Sequence, residues 1–328
     1  MKRSIHSIFA IIVLSSLCLF FVQCGKKQKD ISGKIVLNIP DTKFMGILPL
    51  YVAEEEGFFS DEGIKVKWID VRDPGQGAKL FFDGQADLIM TTFANLIPAE
   101  VIKPGTLKIV CPIYESAEKP GSYILVASDS SKVKTLADLK GKTLGTYTGP
   151  SQKAYAIILL RNLGLKEPDN VRLVQVSSSA QVPSLFGGSF DALFTVEPYG
   201  STAISKGAKI IEKGVRTKYI SNPFWLGAAA VSPQTAENKP RAMEGLINAF
   251  DKAIKFITQN DTKAREILAR RTNTDTDVAR TCALYTWVAH PSKIDLEQIQ
   301  QHIDLLLSEG IIEKKVNVTQ LVLGASNE

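Results

Sequence analysis

Polar and aromatic side chains recur where the predicted strands of this chain end. They form four groups along the sequence, followed by a tryptophan on a returning strand. Because ligands of open α/β sheets bind beyond the carboxyl ends of the strands, we expect these groups to meet at one site. The candidate ligand-binding residues are Asp41, Phe44, Thr91, Thr92, Phe93, Ser151, Gln152, Tyr155, Glu197, Tyr199 and Trp225.

The hydroxyl groups among these residues favour a polar or anionic ligand. Thr92 and Ser151 stand at predicted helix N-termini, where free backbone N–H groups and the helix dipole attract negative charge. Each hydroxyl could instead cap its own helix without contacting a ligand. Convergence of four strand ends on one place favours a binding site over four separate caps.

Two carboxylates favour a ligand of the opposite character. Asp41 and Glu197 would accept hydrogen bonds from an amine or a ring N–H, and would oppose a sulfonate or phosphate unless a cation paired with them. The alternative is that both carboxylates cap backbone groups. An arginine lining the site would shift the balance to an anion, and the candidates are Arg72, Arg161 and Arg216. The aromatic rings would wall a flat ligand or belong to the core.

The sequence carries no signature of catalysis. Its three histidines are His6, His290 and His302, and the last two are predicted to lie in C-terminal helices away from the strand ends. It contains no cysteine cluster with metal-ligand spacing, no P-loop and no G-x-S-x-G motif. We therefore expect a binding protein with no catalytic residue, metal or cofactor.

The elements that must position these residues alternate between short apolar strands and amphipathic helices. This alternation predicts α/β architecture with mainly parallel strand pairing. From about Pro240 the pattern becomes mostly helical. The predicted C-terminal helices are 241–260, 263–271, 277–290 and 296–309.

The length of 328 residues predicts two lobes rather than one domain. We expect residues 34–127 and 223–328 to form the first lobe and residues 128–222 the second. The chain would cross between the lobes near Ser128 and Asn222. A ligand cleft would then lie between the lobes.

The N-terminus is typical of an exported protein. Lys2 and Arg3 precede an apolar run from Ile8 to Val22 that is too short to span a bilayer but fits a secretory signal. The cysteine at position 24 and the polar residues after it resemble a bacterial lipobox. We expect a lipoprotein signal peptide over 1–23, lipidation at Cys24 and a flexible tether over 24–33.

Composition excludes some classes of partner. The hydrophobic fraction of 45% and charged fraction of 22% are those of a globular protein. A net charge of +5 is too small to argue for nucleic acid. Cys111 and Cys282 either form a disulfide in an oxidising compartment or are buried apolar side chains.

Several motifs resemble the NMT1/THI5-like solute-binding proteins, which include sulfonate, taurine, nitrate and pyrimidine-precursor binders. They are LPLYVAEEEGFF at 48–59, GQAD at 84–87, LADLKGK at 136–142 and EPY at 197–199. The resemblance extends over about residues 35–315. It implies a type 2 periplasmic-binding-protein fold, two α/β lobes with a ligand cleft between them, and an ABC importer permease as partner. Some pyrimidine-synthesis enzymes share this fold.

Together these observations predict an extracytoplasmic solute-binding protein that captures a small molecule by hinge closure. Aromatic rings beside carboxylates favour a flat nitrogen heterocycle such as a pyrimidine or thiamine precursor. The alternatives are an alkanesulfonate, taurine, nitrate or similar small anion, a secreted THI5-like enzyme, or a surface lipoprotein without a closable cleft. We expect a monomer held at a bacterial membrane by its lipid.

Overall fold

The computed structural model describes residues 33–71 and 74–323, apart from the side chains of Pro74, Pro150 and Ser151. The predicted signal peptide, Cys24 and Arg72 lie outside the described residues. The strands are β1 (Ile35–Asp41), β2 (Ile64–Asp70), β3 (Leu88–Thr92), β4 (Lys108–Glu115), β5 (Ser122–Val126), β6 (Lys142–Tyr147), β7 (Val171–Val176), β8 (Ala192–Val196), β9 (Lys209–Lys213), β10 (Phe224–Val231) and β11 (Thr286–Trp287).

Helices alternate with these strands over most of the chain. They are α1 (Leu48–Glu55), α2 (Phe58–Asp61), α3 (Pro74–Phe82), α4 (Phe93–Ile102), α5 (Pro150–Asn162), α6 (Gln181–Phe186), α7 (Tyr199–Ser205), α8 (Val215–Tyr219), α9 (Pro233–Asn238), α10 (Pro240–Gln259), α11 (Asp261–Thr272), α12 (Thr276–Thr281) and α13 (Lys293–Ser308). No helix in the described ranges is long and apolar enough to span a bilayer.

The first lobe is built on β1, β2, β3, β4, β10 and β11. Strands β11, β4, β10 and β3 form one sheet in that order, and β1 pairs with β2 in parallel. The N–H of Asp87 donates to the carbonyl of Asn38 at 2.8 Å, which places β1 beside β3. The long amphipathic helix α10 buries Leu246, Phe250 and Ile257 and packs on α1.

The second lobe is a five-stranded sheet in the order β7-β6-β8-β5-β9. The pairs β6–β7 and β6–β8 are parallel, whereas β5 is antiparallel to both β8 and β9. Strand β10 is likewise antiparallel to β3 and β4. The prediction of mainly parallel pairing is therefore wrong, because each sheet takes in a strand that the chain enters from the other lobe.

The chain crosses between the lobes at two places. The first is residues 116–121, between β4 and β5, and the second is residues 220–223, between α8 and β10. The side-chain oxygen of Asn222 accepts from the N–H of Ala117 at 3.2 Å and so joins the two crossings. The sequence boundary at residue 127 assigned β5 to the first lobe, whereas its pairing is within the second sheet.

Close approach of two strands sets the position of the Thr91–Thr92 end of β3. A Cβ atom added at Gly227 of β10 would lie 2.0 Å from the carbonyl oxygen of Thr91 and 2.6 Å from Cα of Thr92. Real Cβ atoms do not approach backbone atoms so closely. The absence of a side chain at Gly227 therefore allows β10 to pair with β3 directly behind the threonines.

The predicted helix over 277–290 is wrong beyond its first turn. Helix α12 ends at Thr281, and Thr286–Trp287 form β11 at the edge of the first sheet, paired with β4. The segment from Leu284 to Val288 is aromatic, β-branched and mostly buried, which suits a half-buried strand better than a helix. This short strand matters because Tyr285 precedes it.

Candidate ligand-binding site

A fully buried arginine lies between the two lobes. Arg216 on α8 is 1% exposed, and its Nη2 donates to Oε1 of Gln152 at 3.0 Å. The guanidinium lies over the rings of Phe224 and Tyr155, with 5.0 and 5.8 Å between its carbon and the ring centroids. Nε and Nη1 have no hydrogen-bond partner among the described residues. A buried cation with unpartnered donors is costly, so this arginine is the strongest unsatisfied donor at the lobe junction.

A buried carboxyl group faces this arginine from the first lobe. Glu115 at the end of β4 is 1% exposed, and its Oε2 lies 3.9 Å from Nη1 of Arg216, beyond hydrogen-bond distance. Its Oε1 accepts from the N–H of Gly121 at 3.0 Å and from the hydroxyl of Ser122 at 2.6 Å. Burial raises the pKa of Glu115 above its ordinary value, although Arg216 and these hydrogen bonds act against the rise. Oε2 has no partner within the described ranges.

Tyrosines from both lobes surround the pair. The hydroxyl of Tyr285 is buried and has no partner among the described residues, and its ring lies 5.8 Å from that of Phe44. Burial raises the pKa of the Tyr285 phenol, Arg216 opposes the rise, and Glu115 and Tyr147 add to it. Tyr147, at the end of β6, therefore lies near the same charges.

One hydrogen bond joins the lobes directly beside these groups. The hydroxyl of Tyr155 on α5 lies 3.0 Å from Nε2 of His302 on α13. The ring of Phe224 contacts both side chains, at centroid distances of 4.9 Å to Tyr155 and 5.1 Å to His302. Burial, and secondarily Arg216, lowers the pKa of His302 to about 3. The imidazole is therefore neutral at neutral pH, and its Nε2 shares a hydrogen bond with the tyrosine hydroxyl.

We call the residues around Arg216 the interlobe site. The first lobe contributes a carboxyl group and two rings, and the second lobe contributes the guanidinium, an amide and two phenols. Its members are Glu115, Tyr147, Gln152, Tyr155, Arg216, Phe224 and Tyr285. Unpartnered N–H and O–H donors beside aromatic faces can bind a small molecule with acidic or hydrogen-accepting atoms.

Four of the predicted residues lie in or against this site. Gln152 and Tyr155 belong to it, and Gln152 also donates to Oγ1 of Thr146 at 2.9 Å. Phe44 packs on Tyr285, and Phe93 packs on His302 at a centroid distance of 6.2 Å. The side chain of Ser151 lies outside the described part of the chain.

The two threonines of β3 behave differently from each other. Thr91 is buried, and its hydroxyl accepts from the amide of Asn95 at 3.0 Å. Thr92 precedes α4 as its N-cap residue but makes no capping bond, and its hydroxyl is buried without a partner among the described residues. Thr92 therefore remains a candidate donor to a ligand.

Three other predicted residues have protein partners for their polar atoms. Asp41 accepts a hydrogen bond from the hydroxyl of Tyr51 within the first lobe. Trp225 is 1% exposed, stacks near Tyr114 and donates from its indole N–H to Gln298 at 3.3 Å. Burial raises the pKa of the Tyr199 phenol, and a hydrogen bond from Ser178 reduces that rise.

The carboxylate of Glu197 is occupied by four donors. Its Oε1 accepts from the hydroxyls of Tyr123 and Ser201, at 2.6 and 2.8 Å, and from the N–H of Ala283 at 3.2 Å. Its Oε2 accepts from the N–H of Ser201 at 3.0 Å. Ala283 follows α12 of the first lobe, so this hydrogen bond of Glu197 links the second lobe to the first beside the interlobe site.

The family description "NMT1/THI5 like" matches residues 45–264 of this sequence. The chain belongs to the NMT1/THI5-like family. A curated relative is 25% identical over 320 residues, with 95% of this chain and 93% of the relative covered, and is named "Putative aliphatic sulfonates-binding protein" of Bacillus subtilis (strain 168). Another, "Putative thiamine biosynthesis protein" of Haemophilus influenzae, is 30% identical over 149 residues, 44% of each chain.

The fold of this NMT1/THI5-like chain is that of a periplasmic binding protein. The crystal structure of the periplasmic aliphatic sulphonate binding protein SsuA from Escherichia coli aligns with a TM-score of 0.72 at 20% identity, covering 89% of this chain and 93% of that one. The two-lobed α/β fold predicted from the sequence is therefore confirmed, as is the family resemblance.

Several residues in or beside the interlobe site were not found from the sequence. His302 was expected away from the strand ends, but it is 2% exposed and packs against Phe93 at the end of β3. Tyr285 was hidden in a helix that does not form. Glu115 is the last residue of β4, and its charge after the apolar run of that strand is the one signal in the sequence that marks it.

The cysteines and the other arginines occupy simpler positions. Cys111 and Cys282 are buried free thiols. Arg161 on α5 is half-exposed and forms an ion pair with Glu309 in the first lobe. Of the two arginines considered from the sequence that the structure describes, Arg161 and Arg216, it is Arg216 that lies at the interlobe site.

Proposed function

We propose that this chain is the solute-binding component of an ABC importer and that it closes around a small organic anion of the sulfonate class. The observation that carries this proposal is Arg216, buried between the lobes with Nε and Nη1 unpartnered among the described residues. Guanidinium groups are preferred partners of oxyanions because they present several fixed N–H donors.

Hinge closure supplies the capture step. Arg216, Gln152 and Tyr155 belong to the second lobe, while Phe224 and Tyr285 belong to the first. A ligand that contacts both sets binds the closed form better than the open form and so shifts the equilibrium towards closure. The crossings at 116–121 and 220–223 are the proposed hinge.

A flat nitrogen heterocycle is the second candidate ligand. It is favoured by the unpartnered Oε2 of Glu115, which would accept from an amino or ring N–H, and by the aromatic faces of Phe224 and Tyr285. The relative named for thiamine biosynthesis supports the same candidate. We place it second because a heterocycle leaves the donors of Arg216 without a strong acceptor.

We propose a binding protein rather than an enzyme. His302 lies beside the interlobe site, where its Nε2 is hydrogen-bonded to the hydroxyl of Tyr155. His290 is exposed. The signal-like N-terminus supports an extracytoplasmic location, with the chain as a monomer attached to a bacterial membrane through lipidated Cys24 and delivering its ligand to the importer permease.

A thermal-shift screen tests the ligand class. Because a ligand that binds only the folded state raises its apparent stability, the true ligand raises the unfolding temperature. We expect butane-1-sulfonate to raise it and 4-amino-5-hydroxymethyl-2-methylpyrimidine to leave it unchanged. The reverse result would favour the heterocycle, and no shift from any sulfonate or pyrimidine would refute the proposed function. Buffers should lack sulfonate groups.

A further inference from the structure

The carboxyl group of Glu115 creates a conflict for any anion bound at Arg216. The two side chains are each 1% exposed, and 3.9 Å separates Oε2 of Glu115 from Nη1 of Arg216. Neither can easily move away: Oε1 of Glu115 is held by Gly121 and Ser122, and Nη2 of Arg216 is held by Gln152. An anion that reaches Nη1 would therefore lie beside a buried carboxylate, where bulk solvent screens the repulsion only weakly.

The surroundings of Glu115 resolve this conflict in one direction. Arg216 from α8 is the positive charge facing it, and it favours the ionised carboxylate. Burial, which has the largest effect on the pKa of Glu115, and to a lesser extent Glu197 from the second sheet favour the protonated form. Tyr285 and Tyr123 also interact electrostatically with Glu115. Burial raises the pKa values of both phenols, so they carry no charge at neutral pH. Once an anion neutralises Arg216, protonation of Glu115 is favoured.

We propose that Glu115 takes up one proton from solvent when the site binds an anion, and that this protonation makes the site selective for singly charged anions. The proton goes to Oε2, the oxygen without a partner among the described residues. The resulting O–H can donate to an oxygen of the ligand beside the N–H donors of Arg216. The site then presents one cation and a neutral acid to a singly charged anion, and no charge remains unpaired.

The proton uptake makes anion affinity depend on pH in a defined way. If binding requires a protonated Glu115, Kd rises tenfold for each pH unit above the pKa of Glu115 in the free protein. This inference rests on the proposed function, because it takes the ligand to be an anion at Arg216. It goes beyond that function by naming the group that must be neutral for binding.

The test is the Kd of butane-1-sulfonate between pH 6 and 8.5, measured by calorimetric titration in buffers without sulfonate groups. Wild-type protein is expected to lose affinity as the pH rises, approaching tenfold per pH unit once the pH exceeds the pKa of Glu115 in the free protein, and Glu115→Gln is expected to show no dependence on pH. Glu237→Gln, which changes an exposed carboxylate on α9, should retain the wild-type slope. Titration of the wild type in two buffers of different ionisation enthalpy counts the protons taken up and does not rely on the folding of a variant.

The outcomes separate this inference from the proposed function. Tight binding by wild-type protein with a flat pH profile and no proton uptake overturns the role of Glu115 and leaves the anion site intact. A wild-type slope that persists in Glu115→Gln assigns the proton to another group and also overturns it. No binding of the sulfonate at any pH refutes the proposed function, and the inference falls with it.

Discussion

Replacing Glu197 by alanine is expected to destabilise the protein rather than to remove a ligand contact. Its four hydrogen bonds join β8 and α7 to Tyr123 and, through Ala283, to the first lobe. Removing the carboxylate leaves the buried hydroxyl of Tyr123 and the N–H of Ala283 without their acceptor. Each buried group left unpaired costs about 1–3 kcal/mol, so we expect the free energy of unfolding to fall by about 3–5 kcal/mol.

Replacing Glu197 by glutamine should cost less. The amide oxygen of glutamine can still accept from Tyr123, Ser201 and Ala283, but its NH₂ group then faces the N–H of Ser201 in place of an acceptor. One lost bond and one donor–donor contact predict a decrease of about 1–2 kcal/mol. The same reasoning therefore also requires that the free energy of unfolding increases from Glu197→Ala to Glu197→Gln and from Glu197→Gln to wild type.

Urea unfolding followed by circular dichroism measures these differences at pH 7. Glu237→Ala on the exposed side of α9 is the matched control and should stay within about 0.5 kcal/mol of wild type. Glu197→Ala with wild-type stability and lost ligand binding would refute the reasoning. That result would mean that the carboxylate serves the ligand and that its four protein contacts do not stabilise the fold.

Two further predictions concern residues beside the interlobe site. Trp225→Ala should lower the free energy of unfolding by about 3–5 kcal/mol, because the ring is 1% exposed and packs on Tyr114. The fraction of the variant that is folded should bind the ligand with wild-type affinity. Unchanged stability together with lost affinity would contradict this prediction. The pKa of His302 is lowered from 6.5 to about 3 in the folded state, so between these values the unfolded chain binds the additional proton and stability falls as pH decreases. Relative to His302→Gln, the free energy of unfolding of wild type should fall by about 1.4 kcal/mol per pH unit between pH 6 and 4, measured by urea unfolding. If the free energies of unfolding of the two proteins changed in parallel with pH, the burial argument for His302 would be contradicted.

The sequence predicts the architecture well because strand and helix periodicity is a local property. The α/β order and the resemblance to the NMT1/THI5-like family both lead to the observed fold. Pairing direction is not local. Whether β5 and β10 run antiparallel depends on which sheet the chain enters after it crosses between the lobes.

The site is predicted only in part, for a related physical reason. Gln152 and Tyr155 lie where a strand end and the following helix place them, and sequence spacing is enough to find them. Arg216 and Glu115 acquire their roles from burial and from each other, at 3.9 Å across 101 residues of sequence. Glu197 shows the opposite case. It lies at a strand end, as the sequence argument required, but its carboxylate already accepts hydrogen bonds from Tyr123, Ser201 and Ala283.

The most direct test of the account is the Kd of butane-1-sulfonate for wild type, Arg216→Gln and Arg172→Gln at pH 6, measured by titration calorimetry. Arg172 on β7 is exposed in the same lobe, so its replacement removes the same charge away from the site. Loss of two charge-assisted hydrogen bonds at Arg216 predicts a Kd at least about 100-fold weaker, while Arg172→Gln binds like wild type. Folded Arg216→Gln that binds the sulfonate within about threefold of wild type would contradict the assignment of the ligand to the interlobe site.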